Sequence, residues 1–199
     1  MTEKKPTARA GETRTNDSHS IETPRLRLRM FRQEDLDDLA TLFADPDVMR
    51  YVADGQPTGR KEAHKALDSI IQHWRRHGFG RWAVEDKATR EFVGFGGLMS
   101  LFGLPEIVYH FATAHWGKGF ATEMARAGLK YGFEVHRFDR IVAIAKPDNA
   151  ASIHVLEKLG MRFEKRTSYY NIDVVQYAIA REEFKPDDSV YVLGPQMQT

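Results

Sequence analysis

The stretch "TAHWGKGFATEMARAGLKYGFE", Thr113–Glu134, decides the fold, because a glycine turn in it joins a strand-like run to a long helical pattern. The run before it, "EIVYHFA" (Glu106–Ala112), is typical of a strand, and apolar residues recur at helical spacing after it. Gly117 and Gly119 would let the chain approach an anion closely, where the first N–H groups of a helix are unpaired. The turn fits a ligand-free corner between strand and helix equally well, so both interpretations stay open.

The composition of the chain excludes several classes of protein. The 199 residues carry a formal net charge of +1 and include no cysteine. There is therefore no disulfide framework, no thiolate nucleophile and no cysteine-based metal site. The balanced charge disfavours a nucleic-acid partner. No apolar run reaches the roughly 18 residues of a membrane span and no secretory signal pattern is present, so we expect a cytoplasmic protein without a membrane partner.

The hydrophobic pattern indicates one domain between two tails. Residues 1–20 contain no large aliphatic or aromatic residue apart from the initial methionine, and we expect them to form a flexible N-terminal tail. From Ile21 the chain alternates or repeats like a globular protein, and a single domain is expected over residues 21–184. Residues 185–199 are expected to form a C-terminal tail.

Periodicity within the domain predicts elements in the order βααβββαβαββ. Seven strands in which most neighbours are antiparallel fit this order, with one parallel strand–helix–strand crossover after the glycine turn. The fold class is therefore α+β. Six of the seven strands are predicted from the segments "RLRLRMF", "GRWAVED", "EFVGFGGLMS", "EIVYHFA", "RIVAIA" and "VVQYAIA". The helices are predicted from "EDLDDLATLF", residues 61–77, residues 120–134 and "NAASIHVLEKLG".

Two long segments, "EIVYHFATAHWGKGFATEMARAGLKYGFE" and "RIVAIAKPDNAASIHVLEKLGMRFE", resemble in order and spacing the signature segments of the GNAT superfamily of acyl-CoA-dependent N-acyltransferases. Together with "TPRLRLR", "GFGRWAVED", "FVGFGGL" and "DVVQYAIAREEF", the pattern is similar to the RimJ/RimL-type branch, which includes N-terminal acetyltransferases of ribosomal proteins. The resemblance spans Ile21 to about Phe184. It implies an α/β sandwich-like fold with a mixed, mostly antiparallel sheet of about seven strands, about four flanking helices and a splayed pair of central strands.

The resemblance gives the glycine turn a ligand, because the family wraps this turn around the pyrophosphate of coenzyme A (CoA). Trp116 stands where the family usually has Gln or Arg, but the backbone donors that bind the anion remain. Lys118 either adds a charge near phosphate or is an ordinary solvated lysine. The residues that match the family's turn are Trp116, Gly117, Lys118, Gly119, Phe120, Ala121 and Thr122.

The resemblance also implies how the chain holds the pantetheine arm and the thioester. Backbone groups near Phe111 and Thr113 would bind pantetheine, and an N–H near Tyr109 or His110 would polarise the thioester carbonyl. Asn149 and Ser152 match positions near the thioester sulfur, although Asn149 is also an ordinary helix N-cap.

Many family members carry a tyrosine general acid one helical turn after the position of Ser152, where this sequence has Leu156. Forming the thiolate of a thiol of pKa about 8.5 at pH 7.4 costs only about 1.5 kcal/mol, so proton donation is helpful but not indispensable. Ser152 is the substitute that we expect.

Glu106 is the first candidate for a general base and His110 the second, because "EIVY" is similar to the family's Glu-Ile-Gly-Tyr. Glu106 could equally be a solvated strand-edge carboxylate. An acceptor α-amine of pKa about 7.7 to 8.0 needs only a weak base, because it is partly neutral at pH 7.4. Deprotonating a lysine of pKa about 10.4 at that pH costs about 4 kcal/mol. The acidic residues between Glu34 and Asp47 either attract a cationic acceptor or form a solvated helix face.

These features predict an N-acetyltransferase that moves an acetyl group from acetyl-CoA to a primary amine by direct attack in a ternary complex. The resemblance favours a peptide N-terminal α-amine as the acceptor. A small amine such as a polyamine, amino acid or antibiotic is the alternative substrate, and a non-catalytic CoA-binding sensor is the alternative function. No metal is expected, and the edge strands would permit a homodimer.

Overall fold

The structure, a computed structural model, describes residues 19–186 and 192–193. Five α-helices and nine strands lie within them. The helices are α1 (Leu36–Ala44), α2 (Pro46–Met49), α3 (Arg60–His77), α4 (Phe120–Glu134) and α5 (Ala150–Lys158). The strands are β1 (Ile21–Glu22), β2 (Leu26–Met30), β3 (Arg81–Asp86), β4 (Phe92–Leu101), β5 (Leu104–Phe111), β6 (Arg140–Ala145), β7 (Arg162–Tyr169), β8 (Ile172–Ala180) and β9 (Val192–Leu193).

All nine strands form one sheet in the order β7-β8-β6-β5-β4-β3-β2-β1-β9. Every neighbouring pair is antiparallel except β5 and β6, which are joined by the crossover helix α4. This arrangement confirms the predicted fold class, including one parallel pair at the centre of a mostly antiparallel sheet.

Helices cover both faces of the sheet, and adjacent residues of β4 show which helix lies on which face. The ring of Phe95 packs against the ring of Phe43 in α1, with 6.0 Å between the ring centroids, and α3 packs against α1. The neighbouring Gly96 faces α4, where a Cβ on this glycine would lie 2.1 Å from the methyl carbon of Met124. Side chains alternate along a strand, so α1 and α3 cover one face and α4 the other.

The structure contains several short elements that periodicity did not predict. The predicted helix "EDLDDLATLF" begins as a 3₁₀ turn, Gln33–Asp35, before α1, and α2 follows separately. Strands β1 and β9 have two residues each, and β9 lies inside the segment expected to be a C-terminal tail. Such short elements are specified by contacts with their neighbours, because they are too short to carry a period.

The first described residues already belong to the domain. The carbonyl of His19 accepts a hydrogen bond of 2.7 Å from the indole of Trp82, and Ser20 is buried. His19 and Ser20, the last two residues of the predicted N-terminal tail, therefore contact the domain. The rest of the predicted N-terminal tail lies outside the described residues. No helix in the described part of the chain is long and apolar enough to cross a membrane.

A buried ion-pair network fixes the end of β2 against the turn that leads into α1. The guanidinium of Arg29 donates two hydrogen bonds of 2.8 Å to the Asp35 carboxylate and a third of 2.5 Å to Glu85. Burial alone would lower the pKa of Arg29, but the bonds to Asp35 and Glu85 outweigh it and the pKa is raised. Asp35 also accepts the backbone N–H of Arg32 at 2.7 Å, so the carboxylate has partners on both sides.

We expect Arg29→Ala to lower the free energy of unfolding by about 3–5 kcal/mol, because Asp35 would stay buried without its cation. Urea denaturation at pH 7 measures the change. The matched control is Arg162→Ala, since the Arg162 side chain is 78% exposed in its ion pair with Glu183 and should cost less than about 1 kcal/mol. Equal losses in the two variants would contradict the assignment of Asp35 as a buried charge that depends on Arg29.

Candidate active site

The candidate site is a cleft that opens where β5 and β6 diverge, called here the β5–β6 cleft. The two strands pair at a single register position, Glu106 with Val142. Ala112 donates its N–H to Val93 of β4. Because backbone groups alternate in direction along a strand, the N–H and C=O groups of Tyr109 and Phe111 point away from β4 and into the cleft. The splayed central pair expected from the sequence is confirmed.

Glu106 lies at the apex of the β5–β6 cleft. It is only 3% exposed, and its carboxylate accepts a hydrogen bond from the backbone of Ile144 on β6. Burial raises the pKa of Glu106 to about 7, while the nearby Arg81 charge and the Ile144 hydrogen bond act in the opposite direction. The residue is therefore a buried carboxyl that exchanges its proton near neutral pH, not the solvated strand-edge carboxylate that the sequence left open.

Arg81 and His110 share the sheet face of Glu106. Arg81 pairs with Gly97 across the β3–β4 ladder, and Gly97 pairs with Val108 in β5. Glu106 and His110 are each two residues from Val108 in a continuous register, so all three side chains lie on the face covered by α1 and α3. Burial lowers the pKa of Arg81 to about 10 against the opposing charge of Glu106.

His110 is brought to this face but is a weaker candidate base than Glu106. Burial, with a further contribution from the Arg81 charge, lowers the pKa of His110 to about 4. The His110 ring stacks on the Phe95 ring, with 4.7 Å between the ring centroids. The His110 Nδ1 has no hydrogen-bond partner among the described residues. His110 is consequently neutral at pH 7 and binds a proton poorly there, so its catalytic role stays a prediction.

Ser152 meets an unpredicted partner across the cleft. The Tyr109 hydroxyl lies 2.9 Å from the Ser152 Oγ and 3.1 Å from the Ser152 carbonyl oxygen. Asn149 is the N-cap of α5, since its side chain accepts the Ser152 N–H at 3.1 Å. Leu156 is buried and supplies no polar group. The two hydroxyls therefore link β5 to the first turn of α5.

The glycine turn has the conformation that only glycine adopts readily. Gly117 and Gly119 have φ angles of 72° and 80°, in the left-handed region. Gly119 is the N-cap of α4, and no side chain caps that helix end. The region beside Gly117 is open, since an added Cβ would meet no atom within 4 Å. The predicted residues Phe120, Ala121 and Thr122 form the first turn of α4, whose N–H groups have no side-chain cap.

A brace from the start of the domain holds this turn, and the sequence analysis missed it. Arg25 donates to the carbonyl of Lys118 at 2.8 Å and to Glu123 at 2.7 Å, and its guanidinium lies 4.9 Å above the Phe120 ring. The Thr23 hydroxyl donates to the same Glu123 carboxylate at 2.6 Å. In the sequence, the segment "TPRLRLR" matches the family pattern without indicating this contact. Arg25 and Glu123 are 98 residues apart in the chain, so no local pattern predicts their contact.

Trp116 and Thr113 are engaged within the protein. The Trp116 indole is 49% exposed and donates to the Phe111 carbonyl at 2.7 Å, so one of the backbone groups expected to bind pantetheine already has a partner. The Thr113 hydroxyl donates to Asp45 at 3.1 Å, and the Thr113 carbonyl accepts the Trp116 N–H. Lys118 is exposed at the tip of the turn. Their contacts with a ligand stay predictions.

The acidic segment between Glu34 and Asp47 is less available to an acceptor than its composition indicates. Asp35 is buried with Arg29, Asp37 pairs with Arg60, and Asp45 caps α2. The described residues also contain no cluster of three or more acidic or histidine side chains that could hold a metal ion.

Comparison with known proteins identifies the family. A model of the acetyltransferase (GNAT) domain matches residues 25–162. This chain belongs to the GNAT family. The uncharacterized protein YkkB of Bacillus subtilis (strain 168) is 36% identical to this chain over 170 residues, which cover 81% of this chain and 96% of YkkB. The structure of a GNAT-family acetyltransferase from Bacillus anthracis has a TM-score of 0.73 at 30% identity and covers 82% of this chain and 99% of its own.

Two acetyltransferase structures that contain CoA share the fold at lower identity. RimL, a ribosomal L7/L12 α-N-protein acetyltransferase in complex with CoA, has a TM-score of 0.68 at 19% identity and covers 79% of this chain and 95% of its own. Spermidine N-acetyltransferase from Vibrio cholerae, in complex with CoA and spermine, has a TM-score of 0.66 at 21% identity and covers 79% and 96%. One of these acts on a protein and the other is named for a polyamine, so the fold alone does not select an acceptor.

The raised pKa of Glu106 predicts how stability depends on pH. A carboxyl whose folded pKa is raised from 4.5 to about 7 stabilises the fold below pH 4.5, and this contribution is lost as the pH rises through 7. From pH 5 to pH 8 we expect the free energy of unfolding of the wild type to fall by roughly 2 kcal/mol relative to that of Glu106→Gln, whose side chain cannot ionise. Urea denaturation of both proteins at the two pH values measures the difference. A constant difference would mean that Glu106 titrates normally.

Proposed function

We propose that this GNAT protein transfers the acetyl group of acetyl-CoA to the α-amine of a peptide N-terminus, by direct attack in a ternary complex. The observation that carries the proposal is the position of Glu106, a buried carboxyl of pKa about 7 at the apex of the β5–β6 cleft. The glycine turn lies at the C-terminal end of β5, so a ligand held there can extend its thioester along the cleft toward this carboxyl. The CoA complexes of the two GNAT neighbours support the choice of donor.

The chemistry of the acceptor matches the basicity of Glu106. Only a neutral amine attacks a thioester, and an α-amine of pKa about 7.7 to 8.0 is partly neutral at pH 7.4. A base of pKa about 7 can accept the proton that the amine sheds after attack, directly or through one water. Deprotonating a lysine amine of pKa about 10.4 at pH 7.4 costs about 4 kcal/mol, which favours the α-amine as the acceptor.

The backbone of β5 can stabilise the tetrahedral intermediate. The N–H of Tyr109 points into the β5–β6 cleft, whereas the N–H of His110 points toward β4 and is committed to the sheet. Tyr109 is therefore the donor that we assign to the thioester oxygen. A fixed amide that points at the thioester oxygen stabilises developing negative charge without reorganisation.

Acetylation of a polyamine or another small amine is the second candidate, because a GNAT neighbour is named for spermidine. A polyamine carries additional cations that need carboxylates near the reacting amine. The charged neighbour of Glu106 is instead the guanidinium of Arg81, and Asp35 is sequestered by Arg29. A nearby cation repels a polyamine and tolerates a peptide carbonyl, so the peptide amine is favoured.

The test of the proposal is acetyl transfer to a panel of short peptides, with free spermidine and amino acids in the same assay. We expect a peptide to be acetylated at its α-amine and Glu106→Gln to lower kcat at least tenfold with little change in acetyl-CoA binding. Wild-type kcat/KM should rise with pH as Glu106 loses its proton near pH 7. Glu91→Gln, at an exposed carboxyl outside the cleft, is the control. Turnover of spermidine alone would replace the peptide with the second candidate, and binding of acetyl-CoA without turnover of any amine would favour a sensor.

Binding of CoA tests the glycine turn separately. We expect Gly119→Glu to weaken binding at least a hundredfold in titration calorimetry, because a carboxylate at the turn would repel the pyrophosphate and strain a left-handed position. The matched control is Gly103→Glu, since Gly103 also has a positive φ of 85° and open space around it but lies at the β4–β5 tip. If both substitutions leave CoA affinity unchanged, the pyrophosphate does not bind at this turn.

A further inference from the structure

The hydroxyl pair of Tyr109 and Ser152 lies on the opposite side of β5 from Glu106. Tyr109 pairs with Gly96, the residue that faces Met124 of α4, whereas Glu106 belongs to the face covered by α1 and α3. The Tyr109 hydroxyl reaches across the β5–β6 cleft to Ser152 in the first turn of α5. A thioester carbon between the two faces has the base on one side and the hydroxyl pair on the other.

This division suits the two bonds that change in acyl transfer. The amine forms its bond to carbon from the side of Glu106, which removes its proton. The carbon–sulfur bond breaks and its electron pair goes to sulfur, which leaves toward α4 and α5. A thiolate on that side meets the hydroxyl of Ser152 at the start of α5, where the helix dipole also favours negative charge.

The two hydroxyls can share their hydrogens in two ways. In the first, Tyr109 donates to the Ser152 carbonyl and Ser152 donates its Oγ hydrogen to Tyr109, at 3.1 Å and 2.9 Å. In the second, Tyr109 donates to the Ser152 Oγ, and the Ser152 hydrogen is released to point into the cleft. The second arrangement needs an acceptor in the cleft, and a thiolate is such an acceptor.

We propose that Tyr109 is a positioning residue that turns the Ser152 hydroxyl toward the sulfur of the departing CoA, so that Ser152 donates a hydrogen bond to the thiolate. This inference rests on the proposed use of acetyl-CoA. Tyr109 does not give up its own proton, because burial, against the opposing Ser152 hydrogen bond, raises the pKa of Tyr109 to about 12. The pair thus stabilises the thiolate in place of a tyrosine acid at Leu156, and the thiolate is protonated later from solvent.

The pH dependence of CoA binding tests this arrangement without an acceptor. Titration calorimetry at pH 6 and pH 9 compares CoA with desulfo-CoA, which lacks the thiol. A hydrogen bond to the thiolate should lower the thiol pKa of bound CoA by about one unit from its ordinary value near 8.5. The ratio of CoA affinity to desulfo-CoA affinity should therefore rise about fivefold to tenfold between the two pH values in the wild type.

Both ligands meet the same titratable groups, so the ratio isolates the sulfur. Glu106 titrates on the other face of β5. Other charged or titratable residues of the bordering elements are Lys146 after β6, Glu123, Arg126, Lys130 and Glu134 on α4, and His154, Glu157 and Lys158 on α5. Their ionisation affects CoA and desulfo-CoA alike and cancels.

We expect Tyr109→Phe to lose most of this rise and Ser152→Ala to lose all of it, with desulfo-CoA affinity unchanged in both. Tyr169→Phe is the matched control, because the Tyr169 hydroxyl donates instead to Gln176 on the β7–β8 hairpin, and it should keep the full rise. The inference would be overturned if the affinity ratio rose fully in Tyr109→Phe or did not rise in the wild type. It would also be overturned if Tyr109→Phe weakened the binding of CoA and desulfo-CoA equally. Failure of the wild type to bind either ligand would instead overturn the proposed function on which it rests.

Discussion

The site depends on one constraint in the sheet: β5 and β6 must be parallel neighbours that pair once and then separate. Their single pair, Glu106 with Val142, closes the cleft at one end. Beyond it, the backbone groups of Tyr109 and Phe111 have no strand partner on the β6 side, which is costly unless another group supplies the hydrogen bonds. The Trp116 indole does so for Phe111, and an extended ligand could do so for the rest.

The divergence also explains why a carboxyl can be buried at the apex. Where β5 separates from β6, the Ile144 N–H is satisfied by the side chain of Glu106. That hydrogen bond and the Arg81 charge make ionisation possible, while burial keeps the pKa near neutrality. In a fully paired sheet the Ile144 N–H would bond to a neighbouring strand and not to the Glu106 carboxylate. On an open surface the pKa of the carboxyl would stay near its ordinary value. The partial pairing produces an intermediate environment that suits a base.

Periodicity predicted the long elements and the crossover after the glycine turn. The family resemblance, not periodicity, pointed to Glu106 as a candidate base and Ser152 as a candidate thiolate partner. Periodicity did not predict the Arg25–Glu123 brace or the Tyr109–Ser152 pair, because these contacts join residues 98 and 43 apart. Nor could it show that Asp35 is buried with Arg29, since an acidic residue at a helix start has the same pattern whether or not it is solvated. What the sequence encodes locally is the order of elements, and the chemistry depends on contacts between them.

Strand alternation gives the site its direction. Because β5 is a continuous strand, Glu106 and Tyr109, three residues apart, must project from opposite faces. One face is covered by α1 and α3 and the other by α4 and α5, so Glu106 and the hydroxyl pair of Tyr109 and Ser152 are separated by the strand itself. A base placed an even number of residues from Tyr109 would share its face and could donate its newly gained proton to the wrong partner. In the proposed reaction, this odd spacing keeps deprotonation of the amine and stabilisation of the thiolate apart, and the Tyr109 amide that lies between them is the one assigned to the thioester oxygen.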